Sequence, residues 1–173
     1  MRVYLVGYMG AGKTTLSRRL ATLLGMESAD LDEMFEVRYK ISIPDFFRKY
    51  DEALFRRLES QLLKETSGTD NIIYSTGGGT ACFYDNMDWM NRHGITVYLQ
   101  MDPVSIVHRL THARKKRPLV ESKTGDELLE FVREHIRQRN IYYGQAKIIV
   151  KGESVDAGSL AAQIREISQE LLD

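Results

Sequence analysis

Gly7-Tyr8-Met9-Gly10-Ala11-Gly12-Lys13-Thr14 follows directly on the apolar run Val3-Tyr4-Leu5-Val6, so it fits G-x-x-x-x-G-K-[ST] in the setting that pattern requires. The chemistry it implies is phosphate binding. Its glycines let successive backbone N–H groups turn toward an anion, Lys13 reaches the β- and γ-phosphates, and the Thr14 hydroxyl takes a position on Mg²⁺. Residues 13–24 carry Leu16, Leu20, Leu23 and Leu24 on one face and stop at Gly25, which predicts a helix whose positive N-terminal end points at the phosphates.

Phosphoryl transfer also needs a metal ligand, a group to orient or deprotonate the acceptor hydroxyl, and cations for the transition state. Asp30 and Asp32 stand two apart at the expected carboxyl end of a strand, where open α/β sheets bind ligands. One carboxylate can serve the metal's water shell and the other the acceptor hydroxyl. The same pair reads equally as a helix N-cap region with Asp32 and Glu33 in the first turn. Ser75-Thr76-Gly77-Gly78-Gly79 stands where many phosphate-loop enzymes end a strand with a metal-holding aspartate, and no aspartate is present. Three glycines there predict a backbone that approaches a ligand closely and offers it N–H groups; a plain glycine-rich turn is the competing account. Arg56 lies at the edge of a stripe of Phe55, Leu58 and Leu62 with Glu52 and Glu59 within a turn, an arrangement that a surface ion-pair ladder explains. Arg139 falls in line with Leu128, Val132 and Ile136, and an arginine on an apolar stripe must meet a carboxylate, a phosphate or water.

The elements that must hold these groups alternate between short strands and longer helices, which predicts an α/β fold with a five-stranded parallel sheet covered on both faces. Strands are expected at 2–6, 27–29, 71–75, 96–100 and 147–150. A helix is expected over 51–66, stopping at Ser67-Gly68, and another after the Asp102-Pro103 cap. Thr124-Gly125-Asp126-Glu127 has capping-box spacing at the head of a helix that runs to about Tyr142. The basic stretch 109–123 around Pro118 reads as a lid whose cations meet the transferring phosphate, with a plain solvated charge run as the competing account.

The 173 residues suit a single domain of 1–173, with no room for a second catalytic one. Acidic and basic side chains balance at 24 each, which gives no reason to expect nucleic acid or a membrane surface as the main partner. The one cysteine, Cys82, excludes an internal disulfide and suits a reducing compartment, where it reads as a small core or loop residue. Met1-Arg2 runs straight into a strand, and no apolar run approaches a membrane span, so a cytoplasmic protein is expected.

Taken together these residues resemble the shikimate kinases, small ATP-dependent kinases of the route to aromatic amino acids. The resemblance rests on the loop from Gly7 through Thr15 with its methionine, on Asp30-Leu31-Asp32, on Phe55-Arg56-Arg57-Leu58-Glu59, on Gly77-Gly78-Gly79, on Arg117-Pro118-Leu119 and on Arg139 followed by Tyr143. It covers nearly the whole chain and implies a three-layer P-loop kinase fold with substrate-binding helices at about 32–66 and a mobile lid. It further implies that ATP binds at Gly10, Ala11, Gly12, Lys13, Thr14 and Thr15, with Arg109 against adenine, and that Thr14 and Asp30 position Mg²⁺. Asp32 is implied as base or orienter for the shikimate 3-hydroxyl, Lys13 and Arg117 as cations for the γ-phosphoryl group, Arg56 and Arg139 as the clamp on the substrate carboxylate, and Gly77, Gly78 and Gly79 as further substrate contacts. Two places depart from the family's pattern: Asp51 precedes Glu52 where glycine is usual, and Lys151-Gly152-Glu153-Ser154-Val155 follows the last strand, to which no adenine contact is assigned.

Two other readings share parts of this pattern. A gluconate or nucleoside monophosphate kinase would keep the phosphate loop and lid without needing Asp32, Arg56, Arg139 and the glycine triplet. A non-catalytic nucleotide sensor is the second, although no [NT]-K-x-D element for guanine is present and no expected catalytic position is missing. His108 and His112 have the spacing of a metal pair on a helix but no third ligand, so exposed histidines are expected. A monomer is the simplest assembly.

Overall fold

A computed structural model describes residues 1–113 and 123–170. Among them run β1 (Arg2–Val6), α1 (Lys13–Leu24), β2 (Glu27–Asp30), α2 (Leu31–Tyr39), α3 (Ile43–Lys49), α4 (Glu52–Glu65), β3 (Ile72–Ser75), α5 (Asn86–His93), β4 (Ile95–Gln100), α6 (Pro103–Thr111), α7 (Gly125–Tyr143), β5 (Ile148–Lys151) and α8 (Ala157–Glu170). The five strands form one parallel sheet in the order β2-β3-β1-β4-β5. β1 is therefore central: β2 and β3 lie on one side of it, and the chain then crosses to the other side for β4 and β5. This reversal opens a crevice at the carboxyl ends of the strands, and the phosphate loop leaves β1 into it.

Side-chain alternation along the strands fills two apolar layers, one on each face of the sheet. Val3, Leu5, Ile73, Val97 and Leu99 join Leu16, Leu20, Ile106, Val132 and Leu160 on one face. Tyr4, Val6, Ile72, Tyr74 and Tyr98 join Phe35, Phe46, Phe55, Leu63, Met90 and Tyr143 on the other. The second layer is aromatic, with Phe35 and Phe55 centroids 4.8 Å apart and Phe46 edge-on to Phe35, and it carries α2, α3 and α4 as one packed group.

Most expected elements form within a residue of their predicted bounds. β3 starts at Ile72 and not at 71 because Asn71 takes a left-handed φ of 61° that ends regular pairing. The capping box expected at Thr124 does not form: Thr124 is the N-cap of α7 but makes no side-chain cap hydrogen bond, since Gly125 behind it turns with φ 56°. Residues 114–122, which hold most of the expected lid and its Arg117-Pro118-Leu119, lie outside the described residues.

Candidate active site

The phosphate loop closes as its glycines allow. Gly10 and Gly12 take φ of 78° and 99°, which a side chain would resist, and Gly12 is the N-cap of α1 without any side-chain cap. The first turn of that helix therefore opens its N–H groups to the crevice. Lys13 is buried and folds back over the loop, its Nζ donating to the carbonyls of Gly7 (2.7 Å) and Tyr8 (3.0 Å). Thr15 is exposed beside it. Arg109, from α6, donates to the carbonyls of Ala11 (2.8 Å) and Gly10 (3.3 Å), so its guanidinium lies on the outer lip of the loop.

Beneath the loop three hard oxygen donors gather. The Thr14 hydroxyl donates to Asp30 Oδ2 at 2.6 Å and lies 3.2 Å from the Ser75 hydroxyl. Asp30 caps α2, with Oδ1 accepting from the Asp32 N–H at 2.9 Å, so the helix-capping reading of this pair holds at Asp30. Asp32, in the first turn, faces the glycine triplet: a Cβ on Gly77 would stand 2.9 Å from Asp32 Oδ1.

The triplet is the wall on which the remaining groups meet. A Cβ on Gly78 would stand 2.9 Å from the Met9 backbone nitrogen, and one on Gly79 would stand 2.7 Å from Arg56 Nη2, so neither position has room for a side chain. The Gly78 carbonyl accepts from Arg139 Nη1 at 3.0 Å and from the Tyr143 hydroxyl. Burial pushes the Tyr143 phenol far up, so it stays a proton donor. Arg139 is 8% exposed, and among the described residues no carboxylate lies within ion-pair distance of it.

Arg56 is not on a surface ladder. Its side chain is 11% exposed, its Nη1 donates at 3.0 Å to Glu59, which is buried, and its Nε donates to the exposed Glu52 at 3.1 Å. The guanidinium also lies 4.4 Å over the Phe83 ring. The ion pairs form, but not at a surface: Glu59 shares the buried face of α4 with Phe55 and Leu62, and Gly79 and Phe83 roof Arg56. Glu59 accepts from the Thr80 hydroxyl at 2.6 Å as well, and Asn86 donates to the Thr80 carbonyl, so the segment after the triplet is tied to α4 and α5. Cys82 shows how tightly the groups converge. Burial pushes its thiol up, and Arg139, Arg56 and Glu59 all act on it.

Asp32, Arg56, Arg139 and Gly77 to Gly79 thus share one cleft beside Lys13 and Thr14, while Arg117 lies outside the described residues. Three groups in this cleft are missing from the set that sequence reasoning produced: Glu59, the Ser75 hydroxyl and the Tyr143 hydroxyl. His108 and His112 are exposed at the end of α6, their rings tilted with centroids 4.4 Å apart, and no metal-holding cluster of three His, Cys, Asp or Glu occurs among the described residues.

The family model described as Shikimate kinase matches residues 9–172. The chain belongs to the shikimate kinase family. It is 39% identical over 174 residues to a curated shikimate kinase from Bacteroides thetaiotaomicron, a match that spans 100% of this chain and 99% of that protein. The crystal structure of the shikimate kinase from Bacteroides thetaiotaomicron superposes with a TM-score of 0.85 at 39% identity, covering 99% of this chain and 98% of that one. A shikimate kinase from Acinetobacter baumannii, solved in complex with shikimate, superposes with a TM-score of 0.84 at 32% identity over 98% and 93% of the two chains. A shikimate kinase is a phosphotransferase with an alcohol as acceptor and ATP as co-substrate, which matches the loop and cleft described above.

Proposed function

We propose that the chain transfers the γ-phosphoryl group of ATP to the 3-hydroxyl of shikimate, giving shikimate 3-phosphate and ADP, and that the cleft walled by the glycine triplet is the acceptor site. The observation that carries this reading is Arg139: a buried guanidinium with no carboxylate partner among the described residues, facing the same wall as Arg56 and Asp32. A buried cation of this kind calls for an anion, and a carboxylate matches a guanidinium fork with two oxygens. Arg56 already shares Glu59 and Glu52, so it is oriented by them and presents the rest of its fork to the cleft.

Each group then has one task. Arg139 and Arg56 clamp the acceptor's carboxylate, which fixes the ring's orientation. Gly77, Gly78 and Gly79 let the ring approach backbone. Asp32 receives the acceptor hydroxyl and takes its proton as that oxygen bonds to the γ-phosphorus and the bond to the β,γ-bridging oxygen breaks. Lys13 exchanges its loop carbonyls for phosphate oxygens and meets the charge on the transferring group, and the N–H groups at Gly10, Gly12, Thr14 and Thr15 hold the β-phosphate side. Arg109, on the lip of the loop, is positioned for the adenine end of the nucleotide.

The Thr14 and Asp30 oxygens, with Ser75 beside them, suit Mg²⁺, a hard cation that keeps several waters and takes the rest of its ligands from phosphate. When bound it neutralises charge between the phosphates. The chain acts as one unit over 1–173, with α2 to α4 carrying the acceptor side. It works as a monomer in the cytoplasm, where its one cysteine stays reduced. No described helix is long and apolar enough to cross a membrane.

The test is an ADP-release assay with shikimate, quinate, gluconate and the nucleoside monophosphates as acceptors. Turnover on shikimate well above the others is expected. A preference for gluconate or a nucleotide, or no turnover on any, would contradict the assignment.

A further inference from the structure

Tyr8 and His135 belong to neither the phosphate contacts nor the acceptor contacts assigned above, yet they sit directly behind Arg139. We propose that the Tyr8–His135 hydrogen bond is a positioning device that holds the Arg139 guanidinium in line with the acceptor's carboxylate. The proposal rests on the carboxylate-clamp reading of Arg139.

The geometry is a closed ring of contacts between the phosphate loop and α7. Tyr8 Oη lies 3.0 Å from His135 Nδ1, and the two rings meet edge-to-face with centroids 5.5 Å apart. Arg139 stands one helical turn after His135 on the same face of α7, and its guanidinium carbon lies 5.5 Å over the Tyr8 ring. The Tyr8 ring is thus a backstop whose plane is set by His135. The Tyr8 backbone is also held, since its carbonyl accepts from the Ala11 N–H. From the other side Phe131, one turn earlier, packs on His135 at 5.3 Å, so the imidazole itself has little freedom. Arg139 is tied to the Gly78 carbonyl and to the Tyr143 hydroxyl, and the Tyr8 ring backs the guanidinium from the other side.

The protonation states suit a fixed bridge. Burial pushes the Tyr8 phenol up to about 12, while burial and then Arg139 push His135 down to about 4, with Arg56 acting in the same direction and Glu52 against it. Both groups are neutral at pH 7. The bridge is therefore a bond between two neutral groups, with either Tyr8 Oη or His135 Nδ1 as donor according to the imidazole tautomer. A neutral imidazole adds no cation beside the guanidinium, so the carboxylate is drawn to Arg139 and not past it.

The experiment compares kcat and KM for shikimate and for ATP in the full chain and in Tyr8→Phe, His135→Leu, His135→Gln and the double variant Tyr8→Phe/His135→Leu, with Arg139→Ala as reference. Tyr8→Phe and His135→Leu should each raise the shikimate KM about three- to tenfold, the scale of one hydrogen bond, with the ATP KM changed less than about twofold. His135→Gln keeps a hydrogen-bond partner for the phenol and should restore the shikimate KM to within about twofold of the parent. The double variant should be no worse than the more affected single, because both remove the same bridge. Unchanged shikimate KM in both singles, equal rises for the two substrates, or effects that multiply in the double variant would each overturn the proposal. If Arg139→Ala raises the shikimate KM while Tyr8→Phe and His135→Leu do not, the bridge alone fails; if Arg139→Ala leaves it unchanged, the clamp fails.

Discussion

Asp30 and Asp32 are two residues apart and chemically alike, but the fold gives them different work. Asp30 spends one oxygen on the Asp32 N–H and the other on Thr14, which anchors it beneath the phosphate loop. Asp32 is turned to the glycine wall, where the proposed reaction puts the acceptor hydroxyl. Asp32→Asn should therefore lower kcat on shikimate by about 10²- to 10⁴-fold, the range for loss of a positioned acid–base group, with the KM for ATP within about twofold. Steady-state kinetics with each substrate varied in turn checks this; a matched loss of ATP affinity would move Asp32 to the nucleotide side. Glu59 carries a structural charge. Glu59→Gln should cost about 3 kcal/mol in urea unfolding, the low end for breaking a buried pair, since Glu52 still meets Arg56. An unchanged unfolding midpoint would contradict the buried-pair account.

At the scale of elements, β1, its loop and α1 were legible because strand, glycines and amphipathic helix agree locally, and the observed α1 keeps the predicted bounds and its Gly25 cap. Arg139 was legible for a related reason: the stripe Leu128, Val132, Ile136, Arg139, Tyr143 is the buried face of α7. Arg56 and Glu59 were misread as a surface pair, although Glu59 lies four residues after Phe55 and three before Leu62 and so shares their buried face. The helical period carried that signal, but what roofs Arg56 is Gly79 and Phe83 from a distant segment, which no local pattern encodes. The Tyr8–His135 contact is hidden in the same way, by a separation of 127 residues.

α7 also gives a pH prediction. His135 binds a proton near pH 4 when folded and near 6.5 when unfolded, so between those values the unfolded chain holds more protons and stability falls as pH drops. His135→Gln removes that component. Its unfolding free energy should decline less steeply than the parent's from pH 6.5 to 4, while depressed carboxylates such as Glu134 contribute equally to both. Parallel curves in chemical denaturation would show that His135 is not held neutral by the fold.

Across the whole molecule the two faces of the sheet divide the labour. One layer carries α1 and α8 and is packed by aliphatic side chains; the other carries α2, α3 and α4, is packed by aromatic rings, and brings Asp32 and Arg56 to the cleft. Leu160→Ala, in the α8 layer, should cost about 2–5 kcal/mol of stability and leave the shikimate KM unchanged at temperatures where the variant is folded. A shikimate KM shift as large as those of the cleft variants would mean that the two layers do not act separately.

The central claim is that one cleft beside the phosphate loop gathers an acid and two guanidinium groups around a carboxylic acid acceptor. A crystal structure of the chain with shikimate and Mg²⁺-ADP tests it most directly. The shikimate carboxylate should lie about 2.7–3.2 Å from nitrogens of both Arg56 and Arg139, with the 3-hydroxyl on Asp32. A carboxylate paired with neither arginine, or a 3-hydroxyl turned away from Asp32, would contradict it.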